Sequence, residues 1–171
     1  MTKIAESNRD EFSARPGSGE LSGFPVNVKH ILAPTDLSED SRKGLRYATW
    51  VASQFNAKLT VLHVVGGRPG LDYSLSEDER RKLQVAEQKL NSIVEDIEKA
   101  YPEIEASVLI GNVCSQIADL AKLLKSDLIV VSSHNYPWFK RLMTGSGAEK
   151  IARHAPCPIL IVHKQERDFV D

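Results

Sequence analysis

The chain has 171 residues, 42% of them hydrophobic and 26% charged, which suits one globular domain around a single core. A formal net charge of -1, with acidic and basic residues interspersed, gives no electrostatic case for nucleic acid or an anionic membrane surface. The longest apolar runs are strand-sized, too short to cross a bilayer as helices.

Residues 1–27 are polar, with Arg15-Pro16-Gly17-Ser18-Gly19 at the centre. Such a segment buries too little apolar surface to offset its chain entropy, so it is expected to be a flexible tail. It also lacks the apolar stretch of a signal peptide. Cys114 and Cys157 therefore read as reduced thiols of a cytoplasmic protein. Cys157, set between two prolines, reads as a small buried hydrophobe.

Val28 to Ala33 (VKHILA) forms the first expected strand, broken by Pro34-Thr35-Asp36. Ser38 caps a helix with Glu39 and Asp40 in its first turn, the charge the helix dipole favours there. Leu45, Ala48, Val51, Ala52 and Phe55 follow at helical spacing. Ala57 to Val65 is the second strand, ended by Gly66-Gly67. Ser76 to Glu79 has capping-box spacing and opens a long helix. Its apolar face carries Leu83, Ala86, Leu90, Ile93, Val94 and Ile97, and Pro102 ends it. Ile104 to Ile110 is the third strand, closed by Gly111-Asn112. A helix from about Ser115 to Leu124 leads to the fourth strand, Asp127 to Ser132. Gly145 to Arg153 starts the last helix, Pro158 to Val162 is the fifth strand, and 165–171 is a short tail.

Strict alternation of strands and helices predicts an α/β fold. Its core is an open, five-stranded, mainly parallel sheet with helices on both faces. Ligands of such sheets sit outside the carboxyl ends of the strands. Here those ends are Pro34-Thr35-Asp36, His63-Val64, Gly111-Asn112 and Ser132-Ser133.

The chemical motifs are sparse. No GxxxxGK[ST], no GxGxxG after a strand and no GxSxG is present. None of the five histidines has HExxH or zinc-ligand spacing, and no general base or metal carboxylate pair is identifiable, so an enzyme is not expected. His30 and His63 lie inside apolar strands and read as hydrogen-bonded strand histidines. Gly145-Ser146 opens a helix, and the unpaired N–H groups of a helix start suit phosphate. Ser146 to Glu149 is also a capping box, so a purely structural role stays open. Asp36 suits either a ligand hydroxyl or a turn in which it bonds its own backbone. Tyr136, Pro137, Trp138, Phe139, Leu142 and Met143 make an apolar loop that covers core, meets a partner chain or fills the ligand groove.

From about Val28 to Lys164 the chain resembles the universal stress protein family. The resemblance rests on HILAPTDLSED, on LHVV at 62–65, on GNVCSQIADLAK and on APCPILIV. It implies a Rossmann-like sheet of order 3-2-1-4-5 in a domain over 28–164. It also implies a stress-response regulator that binds ATP or another adenine nucleotide, with Mg2+, and a homodimer formed through the edge strand after Pro158. Nucleotide-binding members of the family carry G-2x-G-9x-G-[S/T]. The same register here reads Ser132-2x-Asn135-9x-Gly145-Ser146. By that resemblance Asp36 and Val64 match adenosine-contacting positions, with Pro34 and Thr35 beside them. Gly145 and Ser146, followed by Gly147, match the phosphate-contacting ones. Ser132 and Asn135 stand where the family has glycines. Asn135 tolerates left-handed backbone, Ser132 adds a side chain, and Pro137 removes an N–H donor. These departures keep a second expectation alive, a dimeric protein-interaction module that works without nucleotide.

Overall fold

The computed structural model describes residues 27–67, 75–132 and 154–163. In chain order the elements are β1 (His30–Thr35), α1 (Glu39–Phe55), β2 (Lys58–Gly66) and α2 (Glu77–Glu98), then β3 (Ile104–Gly111), α3 (Val113–Leu123), β4 (Leu128–Ser132) and β5 (Ile159–Val162). The strands form one sheet of order β3-β2-β1-β4-β5, and every pairing is parallel. Sequence order along the sheet reverses between β1 and β4, as expected of a doubly wound fold.

Both faces of the central strands are covered. Ile31, Ala33, Leu59, Val61 and Val130 pack on one face with Leu45, Ala48 and Val51 of α1 and Leu90 and Val94 of α2. Leu32, Leu62, Ile129 and Val131 pack on the other face with Ile117 and Ala121 of α3. The period-2 alternation of a strand thus splits one apolar run between two cores, which is why β1 and β4 show no polar alternation in sequence.

Several boundaries differ from the expected ones. β1 does not break at Pro34 but runs on to Thr35. Pairing with β4 ends at Leu32, so Pro34 lies beyond the last two-sided position of the strand. α1 is capped by Ser38, whose side chain accepts from the Ser41 N–H, but Phe55 in its last turn is exposed. The expected capping box of α2 forms, with reciprocal Ser76 and Glu79 bonds. That helix stops at Glu98, before Pro102. α3 starts at Val113 rather than Ser115, because the Asn112 side chain accepts from the Ser115 N–H and acts as the cap. β5 is an edge strand, and its Leu160 is exposed. The expected Gly145–Arg153 helix, the apolar loop before it, residues 1–26 and the closing tail lie outside the described residues.

A polar network closes the amino end of the sheet. Buried His30 lies between Ser126 Oγ at Nδ1 and Thr60 Oγ1 at Nε2, each at 2.9 Å. Thr60 donates its only hydroxyl proton to Glu105 Oε1 at 2.7 Å, so it accepts from His30. The proton of the neutral ring is therefore on Nε2, and Nδ1 accepts from Ser126. Burial lowers the His30 pKa from its ordinary value near 6.5, opposed by the charge of Glu105 and reinforced by that of Lys58. The unfolded chain then takes up this proton near pH 6.5 while the folded one still refuses it. Stability is highest above that pH and declines as the pH falls towards the lower folded-state value. Urea unfolding of the wild type and of His30→Gln between about pH 5 and pH 8 is expected to show the acid decline reduced in the variant. Equal declines would rule out His30 as its source.

Candidate ligand site at the carboxyl ends of the strands

The β1–α1 turn is built from short hydrogen bonds. Thr35 is buried, its Oγ1 lies 2.8 Å from Ser41 Oγ, and it accepts from the Leu37 N–H at 3.1 Å. Leu37 takes φ 64°, a left-handed conformation that costs an aliphatic residue about 1 kcal/mol or more. That cost is offset by the bond to Thr35 and by the packing of Leu37 against the α1/α2 core. Asp36 is half-buried, and its Oδ1 accepts from the Ser38 N–H at 3.0 Å and the Ser38 hydroxyl at 2.5 Å. The turn reading of Asp36 is therefore met. Oδ1 makes the turn, while Oδ2 takes no hydrogen bond among the described residues.

Pairing of β1 with β2 ends at Thr35 and His63, so Val64 is the first β2 residue past the end of β1. It still pairs with Leu109 of β3, and its side chain packs with the α3-side core. His63 donates from Nδ1 to the Thr35 carbonyl at 2.9 Å, tying the two strand ends together. Ser132 ends β4 and is buried, with Oγ donating to the Asp40 carbonyl of α1 at 3.3 Å. It sits against Gly44, where an added Cβ would meet Ser132 Cβ at 3.0 Å and its backbone N at 3.1 Å.

Pro34, Thr35, Asp36, Val64 and Ser132 thus gather at one edge of the sheet, around the β1/β4 reversal. Asn135, Gly145, Ser146 and Gly147 lie outside the described residues. No cluster of three metal-ligating side chains occurs among the described residues, and no described helix is long and apolar enough to cross a membrane. Sequence reasoning missed a cationic wall beside this edge. Arg81, Lys82 and Lys89 of α2 face His63 and Asp36 across a cavity of about 520 Å³. The only signal for it was the spacing of Arg81, Val85 and Lys89, which puts them on one helix face.

A parallel sheet whose strand order reverses between β1 and β4 defines the doubly wound α/β class. The model of the universal stress protein family matches residues 27–163, and the chain belongs to that family. A putative universal stress protein of Staphylococcus aureus (strain USA300) is 30% identical over 145 residues, covering 82% of this chain and 87% of the relative. Universal stress protein UspA from Lactobacillus plantarum superposes with a TM-score of 0.66 at 26% identity, over 81% of this chain and 99% of that one. A universal stress protein in complex with cAMP gives 0.60 at 22% identity, covering 82% of this chain and all of the other. One from Archaeoglobus fulgidus in complex with dAMP gives 0.57 at 20% identity, over 81% and 99%. The last two support the shared fold.

Proposed function

We propose that this universal stress protein is a cytoplasmic stress-response regulator that binds an adenine nucleotide, ATP with Mg2+ or a close relative, as a signal rather than a substrate. The observation that carries the reading is the half-used Asp36 carboxylate at the β1/β4 reversal, with Oδ2 available to a ribose hydroxyl. Val64, clear of β1, suits an adenine edge through its backbone. By the family's register the phosphates would be held by Gly145, Ser146 and Gly147, with Ser132 and Asn135 at its two altered positions. Two structural relatives complexed with cAMP and dAMP support the ligand class. The working form is a homodimer paired through β5, an edge strand with Leu160 exposed, whose outer backbone groups pair with no described strand and would be satisfied by a second copy.

One observation favours the nucleotide-free reading. Ser132 stands in place of a family glycine and is spent on packing against Gly44. Calorimetric titration of dialysed protein with Mg-ATP, after a check for co-purified nucleotide, separates the two readings. Micromolar binding that Gly145→Val abolishes is the expected result, because the added side chain would fill the phosphate position. No heat, no retained nucleotide and an intact dimer would leave the scaffold as a protein-interaction module.

A further inference from the structure

We infer that the protein carries a second ligand site, for a small organic phosphate monoester, on the α2 side of the strand ends. It draws on residues that, apart from Asp36, the nucleotide reading does not use. Val64 packs with the α3-side core, whereas its neighbours His63 and Val65 line the α2-side cavity. Only the Asp36 turn borders both.

Three features define the ligand class. The cavity, at about 520 Å³, falls within the roughly 300–1,000 Å³ of small-molecule sites. Among the described residues its charge is unbalanced, since Arg81, Lys82 and Lys89 face one carboxylate, that of Asp36. Lys82 is paired with Asp78 at 2.5 Å, but Arg81 and Lys89 have no ion-pair partner among the described residues. An excess of cations with an arginine fork suits the dianion of a phosphate monoester better than a carboxylate. His63 adds a polar atom. Its Nδ1 donates to the Thr35 carbonyl, so Nε2 of the neutral ring is an acceptor, suited to a hydroxyl on the organic part of the ligand. The cavity is also partly apolar. Val85 stands between Arg81 and Lys89 on the same helix face and is 46% exposed, and Leu37 and Val65 lie opposite. Water alone leaves that aliphatic surface wet, whereas a phosphate carried on an apolar body would cover it.

Titration of the full-length protein with phenyl phosphate tests the assignment, read by calorimetry and by the NMR shift of the His63 ring. Saturable binding that moves the His63 signal is expected. Arg81→Ala and Lys89→Ala should each weaken it about tenfold, as loss of a charge-assisted bond does. Both residues are exposed, so unchanged melting temperatures should accompany the loss. Gly145→Val and saturating ATP should leave the affinity unchanged, which separates this site from the nucleotide site. Displacement by ATP would overturn the proposal, as would affinity unaffected by the α2 substitutions or an absence of saturable heat. Equal affinity for inorganic phosphate would overturn the organic-monoester assignment.

Discussion

Leu90→Ala is expected to cost about 2–5 kcal/mol, the range for emptying a fully buried leucine position. Leu90 has no exposed surface, and α2 offers few other anchors. Of its 22 residues only Ala86, Leu90 and Val94 are buried, with Ile93 and Ile97 half-buried against the same core. The remaining faces are mostly charged, and the Lys82–Asp78 pair is solvent-exposed. Surface ion pairs of that kind do not hold a helix on a sheet. Removing Leu90 should therefore loosen α2 ahead of the central strands. Hydrogen exchange is expected to show α2 amides losing protection before those of β1 and β4, together with a lower urea midpoint. A uniform loss, or a loss below about 1 kcal/mol, would mean that the half-buried isoleucines carry the helix. Because α2 forms one wall of the cationic cavity, the same variant should weaken phenyl phosphate binding without touching any residue that lines it.

The sheet was legible because β1, β4 and β5 are largely apolar runs and the strands are punctuated by glycine, proline or a cap, and the long α2 announced itself through Ser76 and Glu79. Local signals failed where one residue type serves two purposes. Gly111-Asn112 reads as a turn, and Gly111 does take φ 143°, but Asn112 is already the cap of α3. Pro34 reads as a breaker, yet a proline beyond the last two-sided pair does not interrupt the strand. The candidate site was legible as strand ends, since the alternation of elements fixes which ends converge. The division of labour within Asp36, one oxygen for the turn and one open, could not be read from its identity. Nor could the cationic wall. Arg81, Lys82 and Lys89 look like any solvated helix face until the fold sets them opposite His63.

The contact between Gly44 and Ser132 joins helix packing to the end of β4, and its disruption carries the second large effect. Gly44→Ala alone sets a gain of about 1 kcal/mol in helix propensity against a Cβ only 3.0 Å from Ser132 Cβ and 3.1 Å from its backbone N. β4 is held by ladders to β1 and β5, so its backbone does not retreat easily. Gly44→Val adds two more methyl groups to that contact and should cost about 1–3 kcal/mol or more by overpacking, measured as a lower urea midpoint. Ser132→Gly in the same chain removes the Cβ half of the clash and should restore part of the loss, an interaction energy of about 0.5–3 kcal/mol in a double-mutant cycle. By itself, Ser132→Gly forfeits the bond to the Asp40 carbonyl and leaves a small void against α1. It is expected to lower stability while leaving Mg-ATP affinity unchanged, because the serine side chain is buried against α1. A gain in affinity instead would mean that the serine hinders the nucleotide despite its seat on Gly44. The lost glycine, and not the Tyr136-Pro137 step after Asn135, would then be what weakens the site.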